Sequence, residues 1–135
     1  TKSMGAADFL LGVCESWMTP ALFLSVTFIA GAVISFFTGS SWGTFAICIP
    51  IAVPMAYSFT GGQLGTLVYA AVGAVVSGGL FGDHCSPVSD TSVLSSLGAA
   101  CDHIDHVRTQ LPYALLAAAV SIILWIVVAL VGGAA

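Results

Sequence analysis

Polar side chains interrupt this apolar sequence at two places, and the residue types found there could bind a cation. The candidate charged ligands are Asp83 and Asp90. The candidate neutral ligands are hydroxyl groups from both interruptions: Ser40, Ser41, Thr44, Ser86, Ser89 and Thr91. Carboxylate and hydroxyl oxygens, with the carbonyls of irregular backbone, are hard ligands that suit an alkali or alkaline-earth cation. We therefore predict a metal-ion site built from these residues.

The two aspartates also predict what such a site would do. An ionisable side chain inside a bilayer is costly and is a functional candidate by default. Loss of solvent favours the protonated carboxyl group, whereas a bound cation favours the charged one. A single aspartate can therefore hold either a proton or a sodium ion, and this competition is the basis of antiport. Asp83 and Asp90 are the predicted proton-coupling groups, with His84 as a candidate proton shuttle.

Plainer interpretations of the same residues remain open. Asp90 could cap a helix that begins nearby, and Asp83 could lie in an ordinary surface loop, since the ends of membrane helices are often polar. The turn around Gly39 and Ser40 could be a simple hairpin loop. His84 could serve only as a structural hydrogen-bonding group.

The composition of the 135-residue chain indicates that its solvent is lipid. Hydrophobic residues make up 59% of the sequence and charged residues 6%, whereas a soluble domain carries roughly 25% charged residues. Lys2 and Arg108 are the only basic side chains, which excludes a nucleic-acid surface. The cysteines and histidines match no closed four-ligand zinc pattern. We predict no cofactor and a multi-pass protein of the cell membrane, the inner membrane if the source is bacterial.

The apolar runs predict an all-α integral membrane protein. Residues 1–19 are predicted to form an interfacial helix, and residues 20–135 a transmembrane segment. Runs 21–37 and 45–59, joined by a polar tip, predict a helical hairpin that either re-enters one face or spans twice. Pro50 and Pro54 are predicted to bend or interrupt its second helix.

A discontinuous helix is predicted next. Residues 64–81 form a third apolar run, residues 82–92 a break, and the residues up to about Leu97 a short helix with Ser86 as N-cap and Pro87 at its first position. Residues 101–110 are predicted to lie at the membrane surface. The titratable residues of this stretch are interpreted as a solvated interfacial cluster: Asp102, His103, Asp105, His106 and Arg108. Residues 111–131 are the clearest spanning helix.

Four stretches resemble signatures of the NhaC sodium/proton antiporter family. Residues 82–96 read GDHCSPVSDTSVLSS, and residues 101–103 and 109–114 follow with CDH and TQLPYA. Residues 38–47, TGSSWGTFAI, resemble a second family stretch. The resemblance implies sodium/proton exchange, with relatives that couple ion movement to malate or lactate. It also implies two inverted halves, in each of which a hairpin tip and a helix break meet at the ion site.

The leading hypothesis is therefore secondary active transport by sodium/proton antiport, with no covalent catalysis. One alternative is a sodium-coupled carrier of a small organic anion, such as malate, lactate or an amino acid. Another is a membrane subunit that does not transport. Because family members are several times longer, the resemblance covers only their C-terminal portion. The expected partners are membrane lipid and either a missing transporter half or further copies of the chain.

Overall fold

A computed structural model describes residue 12 and residues 18–132, and these residues contain α-helices and no strand. In chain order the helices are α1 (Pro20–Thr38), α2 (Ser41–Phe59), α3 (Thr66–Cys85), α4 (Asp90–Gly98) and α5 (His103–Gly132). Among them, α2, α3 and α5 are long and apolar enough to cross a membrane, and α1 is a somewhat shorter apolar helix. The predicted all-α membrane class is confirmed. The interfacial helix predicted over residues 1–19 falls almost wholly outside the described residues.

Helices α1 and α2 form the predicted hairpin. Gly39 ends α1 in the left-handed conformation, with φ of 66°, and its N–H donates to the Ser35 carbonyl at 2.8 Å. Ser40 then caps α2 by accepting from the Gly43 N–H at 3.4 Å. We call residues 39–40 the hairpin turn. Helix α2 begins at Ser41, earlier than the predicted residue 45, because this cap starts the helix directly after the turn.

The prolines of α2 are predicted to bend or interrupt the helix, and the interruption is wrong. The helix is continuous through Pro50 and Pro54, and both proline rings lie on its exposed side. Each proline removes one backbone donor, but the buried side chains Cys48, Ala52 and Met55 hold the opposite side of the helix in the core. Packing therefore maintains the helix across both positions.

Helices α1 and α3 pack closely because glycines remove the side chains between them. A Cβ atom on Gly78 would overlap the Phe28 carbonyl oxygen, and one on Gly82 would overlap the Ala32 carbonyl oxygen. Such small residues allow membrane helices to approach backbone to backbone. The paired positions increase together along both helices, so α1 and α3 are parallel and the intervening α2 runs antiparallel to them.

Helix α3 ends in the predicted discontinuity, but its details differ from the prediction. Residues 82–85 belong to α3, and the irregular segment is residues 86–89, which we call the helix break. The prediction of Ser86 as N-cap and Pro87 as the first helical residue is wrong. Ser89 caps α4 instead, accepting from the Thr91 N–H at 3.2 Å. The Ser86 hydroxyl instead accepts a hydrogen bond from the Val88 N–H at 3.2 Å, within the helix break.

Helix α5 includes most of residues 101–110, the stretch predicted to lie at the membrane surface. It begins at His103 because Asp102 caps it: Asp102 Oδ1 accepts from the Ile104 N–H at 2.9 Å and the Asp105 N–H at 3.1 Å. Residues 103–110 are thus its first turns. A bond from the Gln110 amide nitrogen to the His84 carbonyl, 3.3 Å long, joins this end of α5 to the end of α3.

Candidate cation site

The hairpin turn and the helix break lie against each other. A Cβ atom built on Gly39 would lie 2.8 Å from the Val88 carbonyl oxygen, so only glycine leaves room for this approach. The Ser86 hydroxyl donates to the Phe36 carbonyl at 2.6 Å, which ties the break to the last turns of α1. The two polar interruptions therefore meet in space, as the family resemblance implied. Binding of an ion there stays a prediction.

Asp83 is the charged group at this junction. It lies in the last turn of α3, is only 7% exposed, and accepts a 2.5 Å hydrogen bond from the buried Ser89 hydroxyl. The Ser89 and Thr91 hydroxyl oxygens are 2.7 Å apart, which extends the chain of polar groups towards the surface. A charge taken out of water needs such partners. The surface-loop interpretation of Asp83 is therefore wrong.

The first turn of α2 adds hydroxyl groups beside α3. Thr44 is fully buried, and its methyl carbon lies 3.5 Å from the Cβ position of Gly79, one helical turn before Asp83. Its hydroxyl donates to the Ser40 carbonyl at 3.0 Å. Ser41 is also buried, whereas Ser40 is half-buried. The start of α2 thus places the buried Thr44 against α3, one helical turn before Asp83, and a role of Ser40, Ser41 and Thr44 at the carboxylate stays a prediction.

Sequence reasoning missed Ser35. Its side chain is fully buried, and its hydroxyl oxygen has no hydrogen-bond partner among the described residues. It lies on α1 between Ala32 and Phe36, the two residues whose backbones contact Gly82 next to Asp83. Burying an unpaired hydroxyl costs about 1–3 kcal/mol. In the sequence Ser35 looks like a small packing residue, because it stands inside an uninterrupted apolar run.

The remaining predicted site residues lie outside the buried junction. Asp90 and Thr91 have exposed side chains in the first turn of α4. A carboxylate at that position is stabilised by the helix N-terminus. The His84 side chain is exposed as well, and its carbonyl accepts the Ser92 hydroxyl at 3.2 Å. The structure therefore separates the environments of the two aspartates, and proton transfer by His84 stays a prediction.

His103 is a second residue that sequence reasoning misjudged. Instead of belonging to a solvated cluster, its half-buried ring connects three segments. Its Nε2 atom lies 2.7 Å from the Pro87 carbonyl oxygen in the helix break, and its Nδ1 atom lies 3.2 Å from the Ser96 hydroxyl oxygen in α4. The wide sequence separation of these partners hides the contact from a reading of the chain alone.

The ligand chemistry fits an alkali cation better than a transition metal. Within the described part of the chain, no group of three or more histidine, cysteine or acidic residues could hold a metal ion. A buried carboxylate bonded to the Ser89 hydroxyl at a helix end instead offers hard oxygen ligands. A separate cavity of about 250 Å³ lies between α1 and α2, with mostly apolar lining residues. Its Thr27 hydroxyl already donates to the Phe23 carbonyl at 2.7 Å, so this cavity does not suit an ion.

Comparison with known proteins places these features in a family context. Residues 1–130 match the model of the Na+/H+ antiporter family. An uncharacterized protein of Haemophilus influenzae is 52% identical over 110 residues, which are 81% of this chain and 20% of that protein. The malate-2H(+)/Na(+)-lactate antiporter of Bacillus subtilis is 36% identical over 96% of this chain and 26% of its own length.

The Na(+)/H(+) antiporter NhaC of Alkalihalophilus pseudofirmus is 32% identical over 92% of this chain and 26% of its own length. The chain thus spans between a fifth and about a quarter of the length of these curated relatives. No solved structure matches it.

Proposed function

The chain belongs to the Na+/H+ antiporter family, and from this premise we propose that it carries the ion-exchange site of a secondary transporter that moves sodium ions against protons. The observation that supports this proposal most is the buried carboxylate of Asp83, placed where α3 ends and bonded to the Ser89 hydroxyl. A membrane protein places an acidic side chain at such a position at considerable cost. Exchange of a proton for a metal cation is a function that uses both the protonated and the charged form of this carboxyl group.

The position of Asp83 at the end of a helix favours cation binding. The C-terminal end of α3 carries the negative end of the helix dipole and carbonyl groups without helical partners. Discontinuous helices of secondary transporters use such ends to coordinate sodium ions or protons. With Asp83 charged, its free oxygen positions and these carbonyls attract a sodium ion. Protonation of Asp83 neutralises the site and releases the ion.

We propose that hydroxyl groups complete the coordination. The set comprises the newly identified Ser35 and the predicted hydroxyl residues except Ser40, whose hydroxyl caps α2: Ser35, Ser41, Thr44, Ser86, Ser89 and Thr91. Ser35 is included because a cation beside Asp83 would give its buried hydroxyl oxygen a partner. We assign Asp90 the role of a second, exposed carboxylate that attracts the ion towards the break. The exposed His84 is assigned the role of proton donor and acceptor for Asp83, its neighbour in sequence.

The rest of the transport cycle depends on surroundings beyond this segment. Many large apolar side chains of α5 are exposed, including Leu116, Ile123 and Leu130. A surface of this kind requires lipid or another protein element against it. We propose that lipid and the other half of the transporter, supplied by the longer protein or by a second copy, cover this face. Rocking of the two transporter halves against each other would then expose Asp83 alternately to the two sides of the membrane.

Sodium-driven proton flux in proteoliposomes tests the proposal. The full-length protein is reconstituted with a pH-sensitive dye inside the vesicles, and a sodium gradient is applied. We expect proton movement with the wild type, none with Asp83→Asn, and a partial reduction with Asp90→Asn. Asp105→Asn, which changes an exposed aspartate at the start of α5, is the matched control and should behave as wild type. Wild-type flux through Asp83→Asn vesicles would refute the role of Asp83.

A second candidate function is exchange that also involves an organic anion. The Bacillus subtilis relative is named as an antiporter of malate with protons and of lactate with sodium, which supports testing these substrates. Vesicles loaded with labelled lactate are exposed to external malate, with and without a sodium gradient. Label exchange that requires both anions would favour this function over simple cation exchange. A protein that gives neither response would instead be a subunit without transport activity.

A further inference from the structure

The irregular backbone of the helix break needs hydrogen-bond partners from outside its own segment. An unpaired carbonyl within a membrane protein costs several kcal/mol. The Ser86 hydroxyl and the Ser89 N–H provide local partners, the latter donating to the Ser86 carbonyl at 3.4 Å. The Pro87 carbonyl is paired differently, because it accepts from a side chain on the following long helix, 16 residues further along the chain.

That side chain is His103, and the chemistry of its partners fixes how it binds. A carbonyl oxygen can only accept, so the Nε2 atom, 2.7 Å from the Pro87 oxygen, must carry a hydrogen and donate. The Nδ1 atom faces the Ser96 hydroxyl at 3.2 Å, and Ser96 is 2% exposed. His103 therefore joins the break to the last turn of α4 and to the capped start of α5.

We propose that His103 is a positioning residue for the cation site proposed above. By holding the Pro87 carbonyl, it fixes the segment between Ser86, which is bonded to α1, and Ser89, which is bonded to Asp83. It has no contact with the ion itself. It acts by keeping the Ser89 hydroxyl at the carboxylate and by making α4 and α5 move together with the break. This inference rests on the proposed ion exchange.

Two amide substitutions, each of which reproduces the position of one ring nitrogen, separate the two hydrogen bonds of His103. In His103→Gln, the amide nitrogen lies as many bonds from Cβ as the histidine Nε2 atom and can still donate to Pro87. In His103→Asn, the amide nitrogen matches only the Nδ1 position. We expect His103→Asn and His103→Ala to raise the half-saturating sodium concentration about tenfold, as loss of one buried hydrogen bond predicts. His103→Gln should stay within about twofold of wild type.

Sodium-dependent proton flux of the full-length protein gives these constants, and hydrogen–deuterium exchange of amides in residues 86–92 gives an independent measure of order in the break. Asn and Ala variants should exchange faster there, and the Gln variant as wild type. A general structural defect would instead reduce the maximal rate of all three variants and leave the sodium constant unchanged, which would overturn the proposal. The proposal would also be overturned if His103→Gln and His103→Ala had equal sodium constants and equal amide exchange. It would fail as well if His103→Asn matched the wild type in both measurements.

The two measurements also distinguish this inference from the proposed function. If the wild type shows no sodium-dependent flux, the proposed function fails, and the positioning role in ion exchange fails with it. Amide exchange then still decides whether His103 orders the break. If the wild type transports but the break exchanges equally fast in all variants, only the inference about His103 is wrong.

Discussion

The hairpin turn and the helix break contain similar residues but use their hydroxyl groups differently. Beside the hairpin turn, Thr38 donates to the Ile34 carbonyl at 2.9 Å, and Thr44 donates to the Ser40 carbonyl at 3.0 Å, both one helical turn away. In the break, the Ser86 hydroxyl reaches a carbonyl 50 residues distant. The hydroxyl groups of the first region stabilise their own helix ends, whereas those of the second connect different helices.

This difference suggests a division of labour. A turn stabilised by local bonds can form independently and acts as a support. A break stabilised by distant groups requires the assembled fold, and in this chain it is also the region in contact with the buried carboxylate of Asp83. We therefore expect substitutions in the hairpin turn to change stability, and substitutions in the break to change the response to sodium as well.

The largest effect is expected where the two regions touch. Gly39→Ala places a Cβ atom 2.8 Å from the Val88 carbonyl oxygen in a residue with φ of 66°. The left-handed conformation alone costs an alanine roughly 1–2 kcal/mol, and the overlap adds to that cost. Gly61→Ala is the matched control, because Gly61 has a φ of 64° and nothing within 4 Å of its Cβ position. Thermal unfolding in detergent should show a clearly larger loss for Gly39→Ala; equal losses would mean that the break moves aside easily.

Ser89→Ala should have the next largest effect, and it should appear in sodium binding. The Ser89 hydroxyl donates to the Asp83 carboxylate, and a hydrogen bond to a charged group is worth about 1.5–3 kcal/mol. We expect the half-saturating sodium concentration to rise about tenfold or more.

Two further variants give this prediction its controls. Ser89→Thr keeps the hydroxyl and the helix cap and should retain most of the affinity. Ser40→Ala removes the corresponding cap of α2, which accepts from Gly43, and should lower stability by about 1 kcal/mol with little change in sodium affinity. Equal sodium constants in the Ser40 and Ser89 variants would erase the proposed difference between the two regions.

A smaller loss of stability is expected for Ser86→Ala. Its bond to the Phe36 carbonyl joins the break to α1, and interhelical hydrogen bonds in membrane proteins contribute about 0.6 kcal/mol on average, up to about 1.7 kcal/mol. Thr38→Ala removes a hydroxyl whose partners are the carbonyls of α1 and of Ser40 in the adjacent hairpin turn and should cost less. Unfolding midpoints of the two variants measure this difference. A larger loss for Thr38→Ala would show that the local bonds dominate.

Much of the fold could be predicted because it depends on local sequence. Length and hydropathy identify the helices, and the Gly39-Ser40 pair predicts the turn between α1 and α2 from backbone freedom and capping alone. Ser86 and Ser89 could not be distinguished in this way. Both are good N-caps, and the choice between them is made by the Phe36 carbonyl, a partner on another helix.

The site was only partly predictable for the same reason. Asp83 and Ser89 stand out in the sequence because they are polar residues in an apolar chain, but nothing in the sequence distinguishes the buried Asp83 from the exposed Asp90. The polar neighbours of His103 in the sequence predict a solvated cluster. Its actual neighbours, the Pro87 carbonyl and the Ser96 hydroxyl, come from chain segments that only the tertiary fold brings to it.

The smallest effect is expected at the prolines of α2. The helix is continuous through Pro50, whose ring is exposed, so alanine restores one backbone donor without disturbing the core. Exposed substitutions usually change stability by less than about 0.5 kcal/mol, and the higher helix propensity of alanine favours a gain. Pro50→Ala should therefore match or exceed wild-type stability, with an unchanged half-saturating sodium concentration. Loss of sodium-dependent flux in a stable Pro50→Ala protein would make this helix a hinge, and the hairpin would then take part in transport as directly as the break.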